Sequence, residues 1–233
     1  MKIVRNRNDH VRAATRSFDQ GSISALESNK ILRNTYSLLS LTLLFSGLMA
    51  GVSMLMQLGP MVHLLSFGGS IILLWLVLPR VANSAAGIGV VFAITGLMGL
   101  GLGPLLNMYL AIPNGSEVVM TALGGTGIIF LGLSAYAVTT KKDFSFLGGM
   151  LFVGILMVLV GAIANIFLAI PVFSLALSAI VILLMSGFIL FDTSRIVNGG
   201  ETNYVLATVS LYLSIYNIFV SLLQILGAFS GDD

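Results

Sequence analysis

Seven times along this chain a stretch of bilayer-crossing length passes with almost no charge. A hydrocarbon core takes roughly 20 apolar residues per helix. Runs of this kind cover approximately residues 36–56, 62–78, 85–110, 118–140, 146–170, 171–197 and 204–229. Six of them contain no Asp, Glu, Lys or Arg, and the other contains only Asp192 and Arg195. Charged residues make up 9% of the chain, against about a quarter of a soluble domain. Mean hydropathy is +1.04. So few charges cannot cover a water-facing surface. The chain is therefore read as an all-α, polytopic membrane protein with seven transmembrane helices.

The breaks between spans have local causes. Gln57 to Pro60 ends the first, Pro79 and Arg80 end the second, and Pro113-Asn114-Gly115 forms a turn cluster after the third. Thr140 to Asp143 separates the fourth from the fifth. The fifth and sixth touch at Pro171 with no polar loop between them. Proline cannot continue a helix but suits the first turn of a new one, so a tight hairpin is expected there, with a re-entrant pair as the alternative.

With seven spans, all eleven basic residues fall on one side: Lys2, Arg5, Arg7, Arg12, Arg16, Lys30 and Arg33, then Arg80, Lys141, Lys142 and Arg195. Dropping one span destroys this segregation. Basic loops stay cytoplasmic, so the N-terminus is expected inside and the tail Gly231-Asp232-Asp233 outside. A G-protein-coupled receptor has the opposite orientation. A retinal protein needs a lysine in its last helix, and none lies between Tyr204 and Phe229. The first 30 residues are polar and Arg-rich without an apolar core, so they are not a cleaved signal peptide. They hold six basic and three acidic residues, the composition of a disordered cytoplasmic arm. Residues 31–233 form the membrane domain.

Polar groups inside the membrane are few. Ser210, Ser214, Asn217, Ser221 and Gln224 recur at spacings of four and three, which places them on one stripe of the last helix. Facing lipid, each would be left unpaired, so the stripe faces protein or water. It is either interhelical glue or the lining of a water or ion path. Asp192 is the membrane carboxylate. If its helix runs to the cap signal Gly199-Gly200, Asp192 lies about 9 Å inside and Ser214 of the next helix about 16 Å inside, at 1.5 Å per residue. Intramembrane carboxylates are functional candidates by default. The alternative is a clamp between Asp192 and Arg195, one turn apart. Asn107 and Asn165 are expected to satisfy kinked backbone or to bond neighbouring helices, and His63, without a Ser or Asp partner, is read as a packing histidine rather than a base. Gly99 and Gly103 make a GxxxG spacing that permits close helix contact.

Familiar catalytic patterns are missing. Cysteine is absent and no HExxH occurs. An aspartyl protease needs two membrane carboxylates, and GLSAY at 132–136 does not supply a serine-protease pattern. No enzyme, cofactor or nucleic-acid partner is called for.

TTKKDFSFLGG at 139–149, ILFDTSRI at 189–196 and GGETNYVLATVSLYLSIYNIFVSLL at 199–223 resemble the Bax-inhibitor family of seven-helix membrane proteins. KILRNTYSLLSLTLLFSG at 30–47 and GPLLNMYL at 103–110 narrow the likeness to its bacterial YccA-type branch, described as modulators of the FtsH protease. The resemblance implies six helices around a central seventh, an inner-membrane location, and FtsH with its membrane-associated complex as partner. For such a role the N-terminal arm is a handle for an ATP-driven protease, or otherwise a lipid-surface anchor. Some family members are calcium-leak channels gated by two aspartates. One matches Asp192, a candidate calcium ligand and proton-sensing group. The other matches Ser214, and the family Asn matches Asn217. The chain thus carries half of the pair, and a lone carboxylate cannot form a shared-proton dyad.

Overall fold

The computed structural model describes residues 2–230, with side chains described from Leu26 to Ser230. Seven of its helices are long and apolar enough to cross a membrane. They are α1 (Lys2–Leu55, of which Leu26–Leu55 is the membrane-length part), α2 (Pro60–Val81), α3 (Ala85–Leu110), α4 (Gly115–Thr140), α5 (Leu147–Leu168), α6 (Pro171–Val197) and α7 (Tyr204–Ser230). The arm's side chains before Leu26 and the tail 231–233 lie outside the described residues. The start of α1, Arg80, Lys141, Lys142 and Arg195 share one end of the bundle, here called the basic end.

Helix α7 is the centre. In its membrane window 61% of residues are buried, against 6% in α5. It packs on α1, α3, α4 and α6. Leu211, Tyr212, Ile218 and Leu223 are its fully buried anchors. Helices α2 and α5 form an outer layer, α2 on α3 and α5 on α6. The expected ring of six is therefore four helices around α7, with two more stacked outside.

The contact of α1 with α3 depends on missing side chains. Gly96, Gly99 and Gly103 share one face of α3. A Cβ at these positions would collide with Phe45, with the Ser46 backbone and with Ser53, respectively. Gly101 points to the other neighbour, α2, where its carbonyl lies 2.7 Å from Nδ1 of His63. Small residues let membrane helices approach closely enough for dispersion and backbone contacts to hold them. Pro104 adds a constraint. It has no N–H, so the Leu100 carbonyl four residues earlier loses its helical donor. The Ser53 hydroxyl of α1 donates to that carbonyl at 2.7 Å. Unsatisfied carbonyls are not tolerated in hydrocarbon, so the proline and the serine form one unit across two helices.

Pro79 does not end α2 as the sequence suggests. The turn Leu73–Val77 widens into π-helix, with Leu78 N–H donating to the Leu73 carbonyl, and the helix continues to Val81. A widened turn removes the clash between the proline ring and the carbonyl four residues before it. The hairpin expected at Pro171 is present. Ala169 adopts φ 51°, Ile170 is extended, and Pro171 opens α6. Asn165 stitches the turn, accepting from the Ile170 N–H at 3.2 Å and donating to Ser174 at 2.5 Å. Both flanking helices have full membrane length, so the re-entrant alternative falls.

Two substitutions test the α1–α3 contact by thermal unfolding in detergent. Gly99→Leu should destabilise by about 1–3 kcal/mol through overpacking. Ser53→Ala should cost about 1–3 kcal/mol by orphaning the Leu100 carbonyl. Gly89→Leu, where a Cβ meets nothing within 4 Å, should leave the transition unchanged.

Candidate functional site

Asp192 lies in the last two turns of α6, at the basic end, and is 8% exposed. The residues after it fan out at about 100° per step around the helix, and each meets a different neighbour. The Asp192 carboxylate accepts a hydrogen bond from Ser210 of α7 at 2.5 Å. Thr193 shares a hydrogen bond with Tyr36 of α1 at 3.4 Å. Ser194 bridges the α4–α5 loop, donating to the Lys142 carbonyl at 2.9 Å and accepting from the Phe144 N–H at 3.0 Å. A polar run that faces protein on every side marks a helix end enclosed by its neighbours.

Arg195 does not clamp Asp192. Its guanidinium pairs with Glu201 at 3.3 Å, donates to the Gly200 carbonyl at 3.1 Å and lies over the Phe191 ring. Helix geometry gives the reason. α6 ends at Val197, and Gly199 turns the chain at φ 77° so that the Gly200 N–H returns to the Arg195 carbonyl at 2.7 Å. The turn brings Glu201 back beside Arg195, which reaches outwards from the membrane. Asp192 is held by a hydroxyl instead.

The stripe on α7 faces α6 in one register. Ser210 bonds Asp192 at the basic end, and Ser178 of α6 donates to Gln224 at 2.7 Å near the far end. Fourteen residues separate the two rungs on each helix, about 21 Å at 1.5 Å per residue. Counted in antiparallel order from these two rungs, Ser214, Asn217 and Ser221 come level with Phe188, Met185 and Val181 of α6. These apolar partners offer no hydrogen bond. Asn217 turns to its own helix and donates to the Leu213 carbonyl at 2.8 Å. Ser214 and Ser221 are buried, and no side-chain hydrogen bond of either occurs among the described residues. Ser214 and Asp192 therefore sit on separate rungs. No cluster of three or more His, Cys, Asp or Glu forms among the described residues.

Other ties close the basic end. Asn203 accepts from the Val205 and Leu206 N–H groups, capping α7, and donates to Asn83 and the Ala82 carbonyl before α3. Asn198 donates to Ser194 and, at 3.4 Å, to the Lys142 carbonyl. Asp143 accepts from the Ser145 N–H at 2.8 Å, and hydrogen bonding to Ser145 holds its carboxyl below the usual range. That bond supports the loop above the ordinary carboxyl pKa and is lost as pH falls through the lowered one. Deeper in, Tyr212 of α7 bonds Ser46 of α1 at 2.6 Å and donates to the Thr95 carbonyl of α3 at 3.4 Å. Thr193, Ser194, Glu201, Asn203 and Tyr36 were not singled out in the sequence. For Thr193 and Ser194 the signal was present as an unbroken polar run, DTSR, inside a helix.

Ser210→Ala should strip Asp192 of its partner and cost about 1.5–3 kcal/mol in detergent unfolding, the range for a hydrogen bond to a charged group. Ser214→Ala, with no such bond to lose, should be neutral in the same measurement.

The chain matches the family described as "Inhibitor of apoptosis-promoting Bax1" over residues 28–231. It is 52% identical over 221 residues to the Escherichia coli protein named "Modulator of FtsH protease YccA", covering 95% of this chain and 99% of that protein. It is 52% identical over 208 residues to an uncharacterised membrane protein of Vibrio cholerae, covering 89% and 93% of the two chains. An uncharacterised Pseudomonas aeruginosa protein is 49% identical over 210 residues, with the same coverages of 89% and 93%. A seven-helix bundle matched over nearly its whole membrane domain belongs to the Bax inhibitor family.

Proposed function

We propose that this protein is a non-enzymatic regulator of an FtsH-type membrane protease, seated in the bacterial inner membrane with its basic end in the cytoplasm. The likeness to a relative named as a modulator of that protease, spanning 95% of the chain, carries the proposal. The location of every basic residue at one end supports the orientation.

The mechanism is a substrate that is gripped but not extracted. The basic, polar arm supplies the handle. Behind it, pulling on α1 works against the glycine contact with α3, the Ser53 hydrogen bond, the Tyr212–Ser46 bond to α7 and the Tyr36–Thr193 bond to α6. These are spread from Tyr36 to Ser53 across the membrane-length part of α1, so extraction must break them together. An occupied protease turns over other substrates more slowly.

Deleting residues 2–25 leaves the membrane-length part of α1 intact. The deletion should abolish inhibition of proteolysis by FtsH in reconstituted membranes. Undiminished association and inhibition would remove the proposal. Gly99→Leu, which loosens the α1 contact, should convert the protein from an inhibitor into a degraded substrate, seen as a shortened half-life in the same assay.

A second reading is favoured by the burial of Asp192 against α7. In that reading the protein is a cation-leak pathway of the family's calcium type, lacking one carboxylate at Ser214. Calcium flux into proteoliposomes across pH 5–8 separates the two. Flux in the wild type that Asp192→Asn abolishes would favour the channel. Flux gained only with Ser214→Asp would leave the regulator as the function.

A further inference from the structure

Helices α1 and α4 both pack on α7, yet no Cα atoms of the two come within 8 Å of each other among the described residues. The gap is a seam. Its deeper part is a cavity of about 310 Å³ between Leu43 and Gly47 of α1, Leu123 and Gly127 of α4, and Tyr216 and Phe219 of α7. Its shallower part, towards the basic end, is lined by Asn29, Arg33 and Tyr36 of α1 with Ser134 and Val138 of α4. The rings of Tyr36 and Phe130 meet at 5.9 Å where the two parts join.

The seam is not filled by the described residues. A Cβ at Gly47 of α1 or at Gly127 of α4, both of which line the cavity, would meet nothing within 4 Å. This contrasts with Gly96, Gly99 and Gly103 of α3, which are each covered. Ser134 is 3% exposed, and its hydroxyl has no partner among the described residues. Leu123 and Leu131 are exposed along the rim. Arg33 at the mouth makes no ion pair among the described residues.

The width selects the occupant. A helix is about 10–12 Å across with its side chains and packs at 8–10 Å from its neighbours. The Tyr36–Phe130 contact closes the floor of the seam to an object of that size. A single hydrocarbon chain fits over it. The length agrees: from Arg33 to Gly47 the seam runs about 21 Å at 1.5 Å per residue, and one leaflet of a 30 Å core is about 15 Å deep. In a bilayer one tail is as apolar as another, so selection falls to the headgroup. Arg33 stands on one wall with Lys30 one turn before it on the same helix, and Lys141 and Lys142 follow the end of the other. The acidic residues nearby in sequence are Glu27 and Asp143. The excess is positive and lies where lipid phosphates sit.

We propose that the α1–α4 seam binds one anionic glycerophospholipid, with a tail in the cavity and the phosphate at Lys30 and Arg33. The site is independent of the protease reading and of Asp192.

The test compares full-length wild type, Gly127→Leu and the double variant Lys30→Gln/Arg33→Gln by native mass spectrometry in detergent. Phosphatidylglycerol and phosphatidylcholine with identical tails are the probes. Wild type should retain one phosphatidylglycerol with a preference over phosphatidylcholine on the order of thirtyfold, the scale of two basic contacts. The double variant should lose the preference. Gly127→Leu should lose the bound lipid while unfolding at the wild-type temperature, since its side chain enters empty space. Gly47→Leu on the opposite wall repeats this arm should Gly127→Leu fail to fold. Retention of lipid by both leucine variants, equal binding of phosphatidylcholine by wild type, or displacement by inorganic phosphate alone would overturn the proposal. So would capture of a second copy of the chain, rather than lipid, by a photoreactive residue at position 123.

Discussion

In hydrocarbon a polar group must find its partner inside the protein, because the solvent offers none. That requirement organises this bundle. Helix α7 carries more polar side chains than any neighbouring position on lipid could satisfy, so it takes the centre. Its hydroxyls and amides are matched to α6 at Asp192 and Ser178, and to α1 and α3 through Tyr212. The other helices are placed by their relation to α7. Those with hydrogen-bonding groups or glycines on a face stand next to it or to each other, and the most uniformly apolar, α5, stands outermost with 6% of its window buried.

The same requirement explains the basic end. Asp192, Thr193 and Ser194 are consecutive, so their side chains cannot share a partner, and the helix must be surrounded. α7, α1 and the α4–α5 loop each take one. Arg195 leaves this ring for Glu201, because the glycine turn brings that carboxylate to the water side. The result is a closed, cross-linked end in which loops distant in sequence are hydrogen-bonded into a single layer. In the proposed regulation these ties oppose piecewise removal from the membrane, and Asp192 has a hydroxyl, that of Ser210, rather than a second carboxylate as its hydrogen-bond partner. Regulation by resistance needs the first property. A two-carboxylate proton switch needs what the second denies.

Much of the fold was legible in the residues. Membrane helices write their length in apolar runs, their ends in Pro, Gly and Asn, and their orientation in Lys and Arg. The hairpin at Pro171 was readable because proline forbids one continuation and favours another. Pro79 misled, since a widened turn absorbs a proline without a break and nothing in LLWLV announces it. The α7 stripe was readable by its period, but its partners were not. Whether Ser210 or Ser214 meets Asp192 depends on a register between two helices, and a shift of one turn along α7 leaves the stripe's period unchanged. The Arg195 pairing was missed because spacing along a helix favoured Asp192, while the chain reversal after Val197 favoured Glu201.

By itself the amino-acid sequence determined the solvent, the number of crossings and the inward face of the last helix. Each follows from the cost of placing a polar or charged group in hydrocarbon, which is a property of the residue and not of its neighbours. Tertiary structure alone decided which polar groups meet, where α1 touches α3 and where it stands apart from α4. Those outcomes turn on shifts of a few ångströms between rigid helices, and helices of the same composition and period can pack in more than one register. The contact is chosen by the sum of all the facing side chains, a quantity that exists only once the helices are together.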